Sequence, residues 1–222
     1  MKRDPDKELR QIEKKLAKSS VSIPLPLKLR MASLILSLAQ RRKKFGLFVI
    51  LGWNDHRWEK YADTPDASQD IFKRHNINIM RTANQVTKIS AHAAQKRRDD
   101  IVHTINFDGA ILIDARGNVL HSGAMIEGLR PRATAHKLNP HKSPDLSTQF
   151  GFRHKVHMRH IAAITSSYLF RGTTIFTVSE ETNDLHIFEG GKIIYSTVRG
   201  EPLPVRGRTR AGVPVRNNIR AI

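Results

Sequence analysis

The chain has 222 residues, 39% of them hydrophobic, with 38 Lys and Arg against 20 Asp and Glu and no cysteine. The hydrophobic share is enough for a core and argues against disorder in the middle of the chain. The lack of cysteine excludes disulfides, thiolate zinc sites and thiol catalysis, and it suits a reducing cytosol. A formal charge of +18 attracts polyanions, whether nucleic acid, anionic lipid or a polyphosphate ligand, and by itself does not choose among them.

Residues 1–22 read as a charged helical extension. Within it only Leu9, Ile12 and Leu16 form an apolar stripe, narrow enough to pack on one neighbour. Ile23-Pro24-Leu25-Pro26 breaks that helix, because proline cannot donate and restricts the residue before it. A second helix is predicted over 27–42, with Leu29, Leu34, Leu36 and Leu38 on or near its buried side. Its apolar stretch, residues 31–39, is too short to span a bilayer and follows a long polar lead, which is wrong for a signal peptide. A cytoplasmic, unanchored protein is expected.

The basic run at 41–44 closes the helix, and Gly46 introduces Leu47-Phe48-Val49-Ile50-Leu51, a strand buried on both faces. Residues 53–70 are polar with turn signals, and 71–96 has room for one or two helices. Trp53 and Trp58 are expected to cover a core edge. A second apolar strand runs through Phe107-Asp108-Gly109-Ala110-Ile111-Leu112-Ile113-Asp114, and Gly117-Asn118 turns it into a hairpin with Val119. Residues 129–155 have no clear period and read as an irregular insertion. A helix should begin near Met158, followed by a strand at 173–178 and a hairpin around Gly190-Gly191. Residues 199–222, rich in Pro, Gly and Arg, read as a flexible basic tail, leaving one domain over 23–198. The fold class expected is α/β, a central mixed sheet flanked by helices.

Walker, dinucleotide, HExxH and GxSxG signatures are all missing. The informative residues stand at strand ends and at one helix start. Asp108-Gly109-Ala110 sets a carboxylate beside a glycine, where an acid can hold a metal or take a hydroxyl proton; most Asp-Gly pairs, however, are turns. Arg159 and His160 open a helix, where two donors and the dipole suit phosphate. Ser179, Glu180 and Glu181 follow a buried strand, where paired carboxylates can hold Mg²⁺ or Mn²⁺ on phosphates. Each has a plain alternative as a turn or a surface helix start. His154, His157 and His160 recur every third residue, most simply as a basic or phosphate-facing surface and less simply as a metal site.

Taken in order, the Asp108-Gly109-Ala110 strand, Arg159-His160 before Ala162-Ala163, Val178-Ser179-Glu180-Glu181-Thr182 and the Gly190-Gly191-Lys192 hairpin carry a family resemblance. Over roughly residues 27–195 the chain resembles the diadenylate cyclase domain, which is also the nucleotide-binding part of the DNA-integrity-scanning proteins. The resemblance implies condensation of two ATP into cyclic di-AMP with release of pyrophosphate. It also implies a face-to-face homo-oligomer whose active site forms between subunits, with Mn²⁺ or Mg²⁺ as cofactor. Asp108, Arg159 and His160 would be catalytic, and Asp108 and Glu181 would bind metal. Gly109, Ala110, Arg159, His160, Ser179 and Glu180 would bind nucleotide, with Gly109 letting it lie close to the backbone.

The family often reads GTRHR where this chain has His157-Met158-Arg159-His160-Ile161, so Met158 and Ile161 replace two phosphate-binding groups. An offset copy, Gly151-Phe152-Arg153-His154-Lys155, matches better by letter but lies six residues too far from Ser179. The departures motivate a second reading, a catalytically degenerate sensor of nucleotides or cyclic dinucleotides. A third reading, nucleic-acid binding through the basic surface and tail, rests on charge alone.

Overall fold

The computed structural model describes residues 4–41, 44–66, 70, 77–81, 109–140 and 145–202. The helices expected within 71–96, and Asp108 itself, lie outside the described residues.

Helix α1 (Pro5–Leu16) is opened by Asp4, whose carboxylate accepts the N–H of Asp6 at 3.0 Å. Ile12 and Leu16 are buried and Leu9 packs against the same cluster, so the narrow apolar stripe is the docking face. Helix α2 (Leu25–Arg41) starts earlier than expected, with Pro26 in its first turn. A proline there gives up only an N–H that has no intrahelical partner. The inward face is Leu27, Met31, Ala32, Ile35 and Leu36; Leu29, Leu34 and Leu38 stand half-buried at its margins. The four leucines thus lie on or near the inward face, as expected, with Leu36 in the core itself.

β1 (Leu47–Leu51) is buried along its whole length. After the short α3 (Asp55–Trp58) and a 3₁₀ turn come β2 (Ala62–Asp63), β3 (Ala110–Ile113) and β4 (Val119–Ile126). The expected hairpin joins β3 to β4, and its turn is closed by the Asp114 carboxylate, which accepts the N–H groups of Arg116 and Asn118, both at 2.8 Å. The stretch read as an irregular insertion carries two short helices, α4 (Pro131–Leu138) and α5 (Leu146–Gln149). The prolines and scattered basic residues hid their period, and only Thr134 and Ala135 of α4 are buried. Then follow α6 (Met158–Leu169), β5 (Thr174–Val178), β6 (Leu185–Glu189) and β7 (Lys192–Ser196).

The strands form one mixed seven-stranded sheet ordered β2-β4-β3-β1-β5-β6-β7. β1 runs parallel to β3 and antiparallel to β5. Strand alternation divides the core. Leu47, Val49 and Leu51 join the cluster under α1 and α2, while Phe48 and Ile50 join the cluster under α6. Both sheet faces are covered, so the central strands read as continuous apolar runs rather than alternating ones. The tryptophans lie in the second cluster: Trp53 and Trp58 pack on the Phe170 ring at centroid distances of 5.0 and 5.3 Å.

One buried polar network fastens the N-terminal helices to the sheet. Lys28 Nζ donates to Glu189 at 2.9 Å, to the Ser19 hydroxyl at 2.9 Å and to the Val21 carbonyl at 3.2 Å. Glu189 also accepts the hydroxyls of Ser19 and Thr174. Both charges are almost wholly enclosed, so the pair is tolerable only because nearly every donor and acceptor is satisfied. The chain therefore incorporates residues 4–22 into the fold, and at the other end its packing continues through Glu201.

Candidate active-site cleft

A cleft of about 1050 Å³ opens where β1 and β3 begin and β5 ends, beside the start of α6. Its walls include Lys44 and Phe48 from the entry to β1, Gly109 before β3, and Ala124, Met125 and Ile126 from β4. Gly128, Leu129 and Pro131 lead into α4, His157 to His160 open α6, and Ser179, Glu180 and Glu181 follow β5. Segments far apart in the chain, three of them singled out from sequence, thus meet at one sheet edge. The offset segment 151–155 does not reach this cleft: Phe152 is fully buried and Arg153 binds the carbonyl of Arg199.

Arg159 reaches the cleft across Gly46. A Cβ at position 46 would overlap its guanidinium, with Cζ only 2.7 Å and Nη2 2.9 Å from the ideal atom, so glycine here leaves the bed on which Arg159 lies. With the N-terminal N–H groups of α6 and nearby Lys44, Arg159 makes this wall electropositive. The facing wall is acidic. Glu180 and Glu181 are exposed at its lip, and Glu181 pairs with His157 at 3.1 Å. Ser179 closes the turn after β5: its hydroxyl accepts the Thr182 N–H at 3.4 Å, and Asn183 takes a left-handed φ of 54°.

His160 differs from its expected role. It is 4% exposed, and its ring packs against Phe152 and, at 4.9 Å and nearly perpendicular, against His186. Burial pushes the imidazole down to about 3, and the charges of His186 and Arg159 add to the depression. The ring is neutral at neutral pH, and both nitrogens are closed off from solvent with no hydrogen-bond partner among the described residues. The ring expected to donate to phosphate is here a neutral one seated under the helix start.

Gly109 and Ala110 also serve the fold beneath the cleft. Gly109 has φ +131°, and a Cβ there would come within 2.5 Å of the Gly123 backbone in β4, so the close approach is made by the neighbouring strand. Ala110 is 0% exposed and belongs to the core beneath the cleft. Ile161, in the position of the family's second arginine, is 4% exposed and packs inward, whereas Met158 is 73% exposed at the cleft. His154, His157 and His160 do not share a helical face: His154 lies before the helix, His157 caps it and only His160 is buried. Among the described residues no group of three His, Asp or Glu side chains could hold a metal ion alone. Glu180 and Glu181 fit a hard divalent cation that shares its oxygen ligands with phosphates, the usual manner for Mg²⁺.

Sequence reasoning missed Lys44, Gly46, Met125 and Leu129. Gly46, a lone glycine between a basic run and a buried strand, was the one with a readable signal.

Fold and cleft together define an α/β domain with a strand-edge cleft having one cationic and one acidic wall. No protein-family model matches the chain, and no curated protein sequence does. Among solved structures it is similar to a double mutant of DacA from Staphylococcus aureus, at 16% identity and TM-score 0.40 over 88% of this chain and 91% of that one. It is also similar to a hypothetical membrane-spanning protein from Bacillus cereus, at 16% identity and TM-score 0.42 over 86% of this chain and 87% of that one. Among the described residues of this chain, no helix is long and apolar enough to cross a membrane.

Proposed function

We propose that this chain is a diadenylate cyclase, a nucleotidyltransferase that condenses two ATP into cyclic di-AMP and releases pyrophosphate. The observation that supports it most is the convergence of Gly109, Arg159, Ser179, Glu180 and Glu181 on one cleft of about 1050 Å³, a volume suited to a nucleotide. In this reading the 3′-hydroxyl of one nucleotide attacks the α-phosphorus of the other. The hydroxyl loses its proton as the new P–O bond forms, and the bond to pyrophosphate breaks; two such transfers close the ring.

Little covalent chemistry is asked of the protein, so positioning and charge neutralisation supply most of the acceleration. Arg159 and the N-terminal dipole end of α6 hold phosphate oxygens. Glu180 and Glu181 would hold a divalent ion, Mn²⁺ or Mg²⁺, which when bound would neutralise charge on the phosphates. Asp108, adjoining Gly109 in the chain, would take the hydroxyl proton and add a carboxylate to the metal's ligands. His160 acts as the neutral ring on which the helix start is seated. Two domains meeting cleft to cleft would give each nucleotide its partner.

A second reading, a sensor that binds nucleotide without turnover, is favoured by exposed Met158, which puts a thioether where a hydroxyl donor would serve phosphate. Ile161 does not add to it, since that position faces the core. The two readings separate on incubation with ATP and Mn²⁺: cyclic di-AMP that disappears in Asp108→Ala supports the enzyme, and tight cyclic dinucleotide binding without product supports the sensor.

A further inference from the structure

The last described residues do more than end the fold. The Glu201 side chain is 1% exposed. One of its oxygens accepts the N–H of Arg153 at 2.8 Å. The other accepts the Ser196 hydroxyl at 2.8 Å and lies 2.8 Å from His186 Nε2. Arg153 returns a bond to this strap, its guanidinium donating to the Arg199 carbonyl at 2.8 Å. Gly200, at φ +82°, lets the strap backbone lie against the Arg153 side chain.

The Arg153 and His186 contacts lead to the start of α6. Arg153 begins the segment that runs through His157 into the helix. His186 lies 4.9 Å from the His160 ring, and Phe152 stands edge-on to both, at 5.5 Å from His186 and 6.1 Å from His160. A single carboxylate therefore grips the helix start from two sides, by the backbone ahead of it and by the ring beneath it. Burial alone would raise the Glu201 carboxyl, but bonds from His186, the Arg153 N–H and Ser196 outweigh that and hold it below the usual range, so it is ionised at neutral pH. Glu201 does not line the cleft, so its effect on a ligand must pass through the residues it holds.

We infer that Glu201 is a positioning residue for the candidate site, fixing where α6 presents Arg159 to a triphosphate. This rests on reading the cleft as a nucleotide site. It also gives a role to a residue whose sequence context, a Pro-, Gly- and Arg-rich run, reads as flexible tail.

The test uses the full chain with ¹⁵N-labelled histidine, as wild type, Glu201→Ala and Glu201→Gln. ATP affinity, histidine ring resonances and urea stability are measured for each. In wild type, His186 should carry its proton on Nε2, donating to the carboxylate. The glutamine amide can keep the Arg153 and Ser196 bonds and donate to Nε2 instead. Glu201→Gln should therefore switch the His186 tautomer while holding ATP affinity within about threefold. Glu201→Ala should shift the His160 resonances and weaken ATP about 10- to 100-fold, the scale of an ångström-sized misplacement. A folded Glu201→Ala with wild-type His160 resonances and wild-type affinity overturns the inference. If the alanine variant does not fold, Glu201→Gln decides: an unswitched His186 with unmoved His160 resonances overturns it too. Absence of ATP binding in wild type would instead sink the nucleotide reading, and the resonances alone would then judge the strap.

Discussion

Replacing Gly46 by alanine separates Arg159 from the fold beneath it. Gly46 is not among the residues with left-handed φ, so alanine meets no backbone strain there, and the lost chain entropy favours the folded state by about 0.4–1 kcal/mol. The three nearest atoms a Cβ meets are the Arg159 guanidinium carbon and nitrogens, the far end of a flexible side chain. Stability should hold or rise slightly while Arg159 leaves its place at the cleft. A hydrogen bond to a charged group contributes about 1.5–3 kcal/mol, so losing it weakens a triphosphate by roughly 10- to 150-fold. Arg159→Ala sets the ceiling for that loss. Calorimetric titration with a non-hydrolysable ATP analogue, paired with urea denaturation, reads both quantities. Unchanged affinity in Gly46→Ala would mean that the Arg159 pose seen across Gly46 is not the one that binds phosphate. A large loss of stability would mean that position 46 serves the fold.

Three further outcomes follow from the geometry. Lys28→Ala strands a buried Glu189 carboxylate and should cost about 3–5 kcal/mol in urea denaturation, whereas the paired change Lys28→Met with Glu189→Leu should recover most of it. Gly109→Ala forces a Cβ into the Gly123 backbone at a positive φ and should destabilise by at least about 1–3 kcal/mol, measured the same way, with the β3–β4 amides losing exchange protection first. The His160 imidazole, held at about 3 when folded against 6.5 unfolded, contributes stability that is complete above pH 6.5 and fades as pH falls, because the unfolded chain then takes up the proton. Between pH 6.5 and about 5 this group alone should cost about 2 kcal/mol, and urea titrations of His160→Phe should lack that part of the slope.

Elements with strong local signals were readable from sequence. β1 and α6 fall where an apolar run after Gly46 and the Met158 start put them, and both hairpins follow from Asn118 beside Gly117 and from Gly190-Gly191. What sequence could not show was tertiary. Helices α4 and α5 bury too little to leave a period. At the cleft, the three motif segments carried their own signal. The neutral state of His160 comes from Phe152 and His186 packed around it, and the need for Gly109 from a strand 14 residues onward at Gly123. Glu201 was hidden because a carboxylate in a Pro- and Arg-rich run looks solvated until its partners are known.

The most direct test of the central claim is incubation of the full chain with ATP and Mn²⁺ or Mg²⁺, with the products resolved by mass spectrometry. Cyclic di-AMP and pyrophosphate are the expected products, with the cyclic dinucleotide lost in Asp108→Ala and strongly reduced in Gly46→Ala. ATP left unchanged with either metal at all protein concentrations would contradict the claim.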